Sequence, residues 1–343
     1  MIRVLVVDDS ASMRALLTAR LREEQDITVI GAAADAKEAR AMIKALNPDV
    51  ITLDIEMPGM DGLSFLEKIM DLRPTPVIIV SGATQAGNEV TARALQFGAV
   101  SCYAKGDRYG AMPIDDRGKL AELVREAAQV RFGPDWPVSD TVGKEVQQSA
   151  RGDTRLIAIG SSTGGVEALR TLLPSFPADC PPTVVVQHVN ARFAPAIARS
   201  LDDACAARVV LADTDVLLRR GHIYFAPGGD RHMMVSGTSI DTLRIKLRQG
   251  ELVSGHRPSV DALFLSVAAQ AGANAVGVLL TGMGQDGASG LLAMAQAGAH
   301  TIAQDEASCV VFGMPRAAIS MGAAKVIAPI ERIAEHVLGT QAA

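Results

Sequence analysis

The sequence predicts an α/β protein built from two parallel-sheet units joined by a linker. Three observations carry this. Short Val- and Ile-rich runs recur through both halves, separated by stretches with helical spacing of apolar residues. The length of 343 residues exceeds what one core usually serves. The strand–helix rhythm lapses once, from 126 to 152, where Arg131-Phe132-Gly133-Pro134-Asp135-Trp136-Pro137 breaks any helix and Thr141 to Gly152 is polar. The expected division is therefore 1–125, a linker at 126–152, and 153–343.

Bulk composition narrows the function classes. Apolar residues make up 48% and charged residues 21%, the mix of a folded globular protein. A net charge of -5 argues against a general nucleic-acid binder. Cys102, Cys180, Cys205 and Cys309 are scattered with no C-x-x-C pair, as free thiols in a reducing compartment would be. The apolar run that opens the chain is too short for a signal peptide and meets Asp8 and Asp9 at once. No apolar run approaches membrane-spanning length, so a cytoplasmic protein without membrane insertion is expected.

In the first part, strands are expected at Val4–Val7, Ile27–Ile30, Val50–Leu53, Val77–Val80 and Val100–Tyr103. Met13, Leu16, Leu17 and Leu21, like Leu63, Leu66, Ile69 and Met70, fall at helical spacing between them. Five strands with interleaved helices imply a parallel sheet covered on both faces, with ligands at the carboxyl ends of the strands.

The residues at those ends form one constellation. Asp8 and Asp9 follow the first strand, Asp54 ends the third, Ser81 follows the fourth and Lys105 lies just past the fifth. Three carboxylates at one sheet edge repel one another unless a cation sits among them, and hard oxygen ligands suit Mg²⁺. A hydroxyl and an ammonium opposite them would hold the oxygens of a phosphoryl group on Asp54. Taken singly, Asp8 or Asp9 is an ordinary acid near a helix start; all five residues in these places are not ordinary.

With Met57-Pro58-Gly59-Met60-Asp61-Gly62 after Asp54, residues 1–125 resemble a response-regulator receiver domain, with its flavodoxin-like five-stranded parallel sheet. The resemblance implies that Asp54 is the phosphoacceptor, Asp8 and Asp9 help it to hold Mg²⁺, and Ser81, Tyr103 and Lys105 are the switch and phosphate-binding residues. The sequence departs from the family at Gly106, where proline is usual, and in the continuation Asp107-Arg108-Tyr109-Gly110.

In the second part, strands are expected at Leu156–Ile159, Val184–Gln187, Val209–Leu211, Ile223–Ala226 and Val276–Leu280, with a half-exposed one at Leu243–Leu247. Helices are expected to begin near Gly164, Phe193, Ser259, Asp286 and Ile330. From residue 153 onward 15 basic side chains meet 16 acidic ones, so no basic face for nucleic acid is expected.

The turn Gly160-Ser161-Ser162-Thr163-Gly164-Gly165 follows a buried strand and precedes a helix, where backbone donors and the helix dipole favour negative charge. A dinucleotide reading needs an acid at the end of the next strand, and Gln187-His188 stands there instead. A nucleophile reading needs a base and an orienting acid. His188 lies at the same sheet edge as Ser162, and Asp286 follows Leu280-Thr281-Gly282-Met283-Gly284-Gln285 past another strand. Ser162 is central in G-x-S-x-G, with Ser161 as the rival nucleophile. Amides near Thr163 or in the Gly282–Gly284 loop are candidate oxyanion donors. His232 and His256 lie in turn-rich loops that can line the site, whereas His222, His300 and His336 read as structural.

Ala158 to Gly165, Gln187-His188, Leu280 to Gly287 and Cys309-Val310-Val311-Phe312-Gly313-Met314-Pro315 closely resemble the bacterial chemotaxis protein-glutamate methylesterase/glutaminase (CheB) family. The resemblance spans nearly the whole chain, in the order receiver, linker, Rossmann-like α/β esterase. It implies that Ser162 is the nucleophile, His188 the base and Asp286 its partner. Further implications are methyl-accepting receptors as substrate, a chemotaxis histidine kinase as phosphodonor, no cofactor in the esterase, and an unphosphorylated receiver that covers the catalytic site. Arg192, Arg231 and Arg257 are the expected contacts to the acidic faces of receptor helices. A receiver with a non-catalytic binding domain and a hydrolase of small esters are the two rival readings.

Overall fold

The computed structural model describes residues 1–57, 62–82, 85–105, 118–130, 132 and 156–339. The chain divides into two compact units, residues 1–139 and 140–343. The expected Pro58–Asp61 loop, the Gly106–Gly110 departure and the linker around Trp136 lie outside the described residues.

The first unit runs β1 (Ile2–Val7), α1 (Ala11–Arg22), β2 (Ile27–Ala33), α2 (Ala36–Leu46), β3 (Val50–Asp54), α3 (Gly62–Leu72), β4 (Val77–Ser81), α4 (Gln85–Gln96), β5 (Ser101–Ala104) and α5 (Lys119–Ala127). Its parallel sheet has the order β2-β1-β3-β4-β5, as the alternation of elements predicts. Every residue of β3 and β4 is buried, which fits continuous apolar runs covered on both faces. Ser10 and Asp35 cap α1 and α2 by accepting the amides of Met13 and Glu38. Strand order reverses between β1 and β3, so the crevice at their carboxyl ends is where Asp8 and Asp54 meet. The expected linker start at 126 falls within the last turn of α5, whose Ala127 is fully buried.

The second unit runs β6 (Leu156–Ser161), α6 (Gly165–Leu172), β7 (Thr183–Gln187), α7 (Ala194–Asp202), β8 (Arg208–Leu211), β9 (His222–Phe225), β10 (Arg231–Ser236), β11 (Arg244–Gln249), α8 (Val260–Ala271), β12 (Ala275–Leu279), α9 (Ala288–Gln296), β13 (His300–Gln304), α10 (Met314–Ser320), β14 (Val326–Ala328) and α11 (Ile330–Leu338). Seven strands form a parallel sheet in the order β14-β13-β12-β6-β7-β9-β8. The half-exposed strand is β11, paired antiparallel with β10 outside that sheet. Val260, Leu263, Phe264 and Val267 of α8 pack with Leu291 and Met294 of α9 and with Val184 and Val186 of β7. Phe176, Phe193, Phe225 and Phe264 are fully buried, each contributing about 1.5–3 kcal/mol by leaving water. From β6 the chain first moves to β7 and then returns to β12 on the other side. The crevice between β6 and β12 therefore opens at Ser162 and the loop after Leu279.

Candidate active site

In the first unit Asp8 and Asp54 are buried, and Asp9, Asp8 and Asp54 each present a carboxylate oxygen within 4.8 Å of the others. Lys105, just past β5, places Nζ 2.6 Å from Asp54 Oδ2 and 2.8 Å from Asp8 Oδ2. Asp54 Oδ1 accepts the Glu56 amide at 3.0 Å, and Asp8 Oδ1 accepts the Ser10 amide at 2.9 Å. Burial pushes the Asp8 carboxyl above its ordinary range despite the Lys105 ammonium. Burial would lower Lys105 too, but Asp54 and Asp8 together raise it. Asp8 Oδ2 is buried, and its one partner among the described residues is the Lys105 ammonium. An underserved carboxylate oxygen amid three acids fits a hard divalent cation. Ser81 is fully buried at the end of β4, and the Lys105 amide donates to its carbonyl at 2.7 Å. Tyr103 is buried, with Arg20 Nη1 donating to its hydroxyl at 3.4 Å.

In the second unit the turn after β6 separates the two adjacent serines. Ser161 ends the strand, fully buried, and its hydroxyl donates to Gln187 Oε1 at 2.6 Å. Gln187 Nε2 donates to the carbonyls of Ser162 at 2.8 Å and His188 at 3.0 Å. One amide side chain thus ties the serine turn to the histidine strand end. A Cβ on Gly165 would sit 2.1 Å from Gln187 Oε1, so this position needs glycine. Ser162 lies beyond the strand, its amide donating to the Thr281 carbonyl at 3.0 Å. A Cβ on Gly282 would come within 2.7 Å of Ser162 Cβ, which sets the Gly282–Met283 backbone directly against the serine. The Thr281 hydroxyl donates to the Thr163 carbonyl at 3.0 Å and accepts the Val311 amide at 2.9 Å, fixing the other flank.

His188 Nε2 lies 2.8 Å from Asp286 Oδ2. Asp286, in the loop between β12 and α9, has no exposed surface, and its carboxylate sits against the start of α8. Oδ1 accepts the Ser259 hydroxyl at 2.8 Å and the Asp261 amide at 2.9 Å, and Oδ2 also accepts the Val260 amide at 2.7 Å. Burial alone would raise this carboxyl; His188, the helix amide and Ser259 outweigh it and hold it below its ordinary range. The α8 cap is itself fastened, because the Ser259 amide donates to His232 Nδ1 at 3.2 Å while His232 Nε2 meets the Glu251 carbonyl at 2.8 Å. His232 is therefore a buried support. His256 stacks on His188, ring centroids 3.9 Å apart.

The structure gathers Ser162, Thr163, His188, Met283 and Asp286 at the β6–β7–β12 edge. The three arginines are exposed and belong to different elements. Arg192 follows the His188 strand end, its amide donating to Asn190 Oδ1. Arg231 opens β10 beside Asp230, and Arg257 donates to the Gly250 carbonyl at 2.7 Å. Sequence reasoning assigned no role to Gln187, Thr281 or Ser259. Their signal is only position: Gln187 ends β7, Thr281 lies two residues past β12 and Ser259 directly precedes α8.

Both units are similar to known proteins. The sequence model described as CheB methylesterase matches residues 157–337, and that described as response regulator receiver domain matches residues 4–108. A Rhizobium johnstonii protein-glutamate methylesterase/protein-glutamine glutaminase 1 is 52% identical over 341 residues, covering 99% of this chain and 97% of the relative. The Caulobacter vibrioides protein of the same name is 51% identical, covering 98% of this chain and 97% of its own. The crystal structure of the Thermotoga maritima CheB methylesterase catalytic domain aligns with 55% of this chain and 99% of its own, at 32% identity and a TM-score of 0.53.

Proposed function

Because the chain belongs to the CheB family of protein-glutamate methylesterases/protein-glutamine glutaminases and carries a receiver domain, we propose that Ser162, His188 and Asp286 perform this hydrolysis. The observation that carries the reading is the 2.8 Å contact between His188 and a buried Asp286, beside a serine turn held to the same strand end by Gln187. Ser162 Oγ attacks the side-chain carbonyl carbon of a methylated glutamate. His188, bonded to Asp286 through Nε2, takes the hydroxyl proton on Nδ1 and passes it to the leaving methoxide, which departs as methanol. Water then cleaves the acyl-enzyme, His188 accepting its proton and returning it to Ser162. With a glutamine side chain the leaving group is ammonia. Backbone amides of Thr163 and Met283, which flank Ser162, hold the oxyanion; one such donor is typically worth about 10²–10³ in rate.

The substrate in this reading is a chemoreceptor helix, with Arg192, Arg231 and Arg257 meeting its acidic face. Residues 1–125 form the receiver, 126–152 the linker and 153–343 the catalytic domain. Asp54 accepts a phosphoryl group from a histidine kinase, and this raises esterase activity by shifting the population of uncovered sites. Asp8, Asp9 and Asp54 would hold Mg²⁺, which would neutralise charge on the transferring phosphoryl group. Lys105, now bridging Asp8 and Asp54, then binds a phosphoryl oxygen, with Ser81 and Tyr103 following it. No described helix is long and apolar enough to cross a membrane, and action at the cytoplasmic ends of receptors is part of the proposal. Methanol release from methylated receptor membranes, with and without a small phosphodonor, tests it. Absence of release, or release undiminished in Ser162→Ala, overturns it.

A further inference from the structure

His256 takes no part in the mechanism above, yet it is built into the site. Its ring is parallel to that of His188 within 5°, with centroids 3.9 Å apart. Its loop holds it independently of His188. Val253 and His256 exchange backbone hydrogen bonds at 3.0 and 3.2 Å, with Ser254 and Gly255 in the left-handed region between them. His256 Nδ1 donates to the Ser254 carbonyl at 2.9 Å, and the Ser254 hydroxyl donates to buried Asp261 Oδ2 at 2.7 Å. The loop is thus anchored to α8, the helix that also binds Asp286.

Nitrogen atoms of both histidines and an oxygen of Asp286 lie within 4.8 Å of one another, a spacing that invites a metal ion. The stack argues against it. Lone pairs of two parallel rings stay in two parallel planes and do not converge on one ion, and both Asp286 oxygens already accept hydrogen bonds.

The hydrogen bond to Asp286 fixes the Nε2 edge of the His188 ring, and a single contact of that kind does not by itself set the ring's plane. We propose that His256 is a positioning residue: its flat face sets the plane of the His188 imidazole and so the direction in which the basic nitrogen meets Ser162. This rests on the assignment of Ser162 and His188 as nucleophile and base. The stack needs a planar ring at 256, not a titratable one.

The test is the rate at which a fluorophosphonate labels Ser162 in the full-length protein, which needs the activated serine and no receptor substrate. His256→Ala should slow labelling about 10- to 100-fold. His256→Phe should restore most of it, and His256→Leu, of similar bulk but not flat, should not. With methylated receptor, His256→Ala should lower kcat and leave KM unchanged. Labelling of His256→Ala at the wild-type rate, or equal rates for the Phe and Leu variants, overturns the proposal. If the Ala variant does not fold, the Phe–Leu comparison decides alone. Failure of the wild-type protein to label at all would instead overturn the reading of Ser162.

Discussion

The Ser161 hydroxyl donates to Gln187 Oε1 at 2.6 Å, which commits one of two adjacent serines to the interior and leaves the other at the crevice. Ser162→Ala is therefore expected to cut methanol release by at least ~10⁴-fold. Ser161→Ala should keep the chemistry and lose about 1 kcal/mol of stability, because Gln187 Oε1 loses its donor. Steady-state rates and chemical denaturation of both variants check this. The reverse pattern would exchange the roles of the two serines.

Gly160 is the second place where packing reaches the chemistry. A Cβ there would lie 2.2 Å from Val260 Cγ1, and the Val260 amide is one of the donors to Asp286. Gly160→Ala should cost about 1–3 kcal/mol and depress kcat without touching any reacting group. Adding Val260→Ala, which removes the methyl groups in the way, should recover part of both. A double variant no better than the sum of the singles would show that the strain is relieved elsewhere.

Glu167, in the first turn of α6, is pushed up to about 7 by burial, with Arg170 opposing, and its Oε2 has no hydrogen-bond partner among the described residues. The folded state binds this proton more tightly than the unfolded chain, whose ordinary value is 4.5. Stability from this group is thus complete below 4.5, declines as pH rises toward about 7, and stays reduced above it. Glu167→Gln should add on the order of 2–3 kcal/mol near pH 8 and nothing near pH 4. Denaturation curves at the two pH values check the sign; an equal effect at both would remove the linkage.

Asp54→Asn should abolish stimulation of the esterase by a phosphodonor while leaving the unstimulated rate near wild type. Chelation of divalent ions should suppress the same stimulation, because Asp8, Asp9 and Asp54 are left with mutual repulsion. A phosphodonor response that survives either treatment counts against phosphorylation at this site.

The fold was largely legible in the sequence because parallel strands buried on both faces read as unbroken apolar runs, and β3, β4, β6 and β7 are of that kind. The residues just after those runs then named the sheet edges. Less legible were β10, whose Arg231 and His232 dilute the run, and β14, only three residues long. α10 was hidden too, since Met314-Pro315-Arg316 follows a loop with no capping side chain. Strand order is not a local property, so the return from β11 to β12 beside β6 could not be read from any segment. The supports of the site were illegible for a similar reason. Gln187 and Ser259 are ordinary residues until the fold brings Ser161 to one and Asp286 to the other.

Glycines floor the crevice. Gly160 faces Val260, Gly165 faces Gln187 and Gly282 faces Ser162, each too close for a methyl group. The room for hereditary change therefore differs sharply across the site. Its base admits almost no substitution, while the exposed side chains of Arg192, Arg231 and Arg257 can change as long as the nearby His232, His256 and Ser259 are kept. On the proposed reading, recognition can therefore change at the rim while the reaction stays intact.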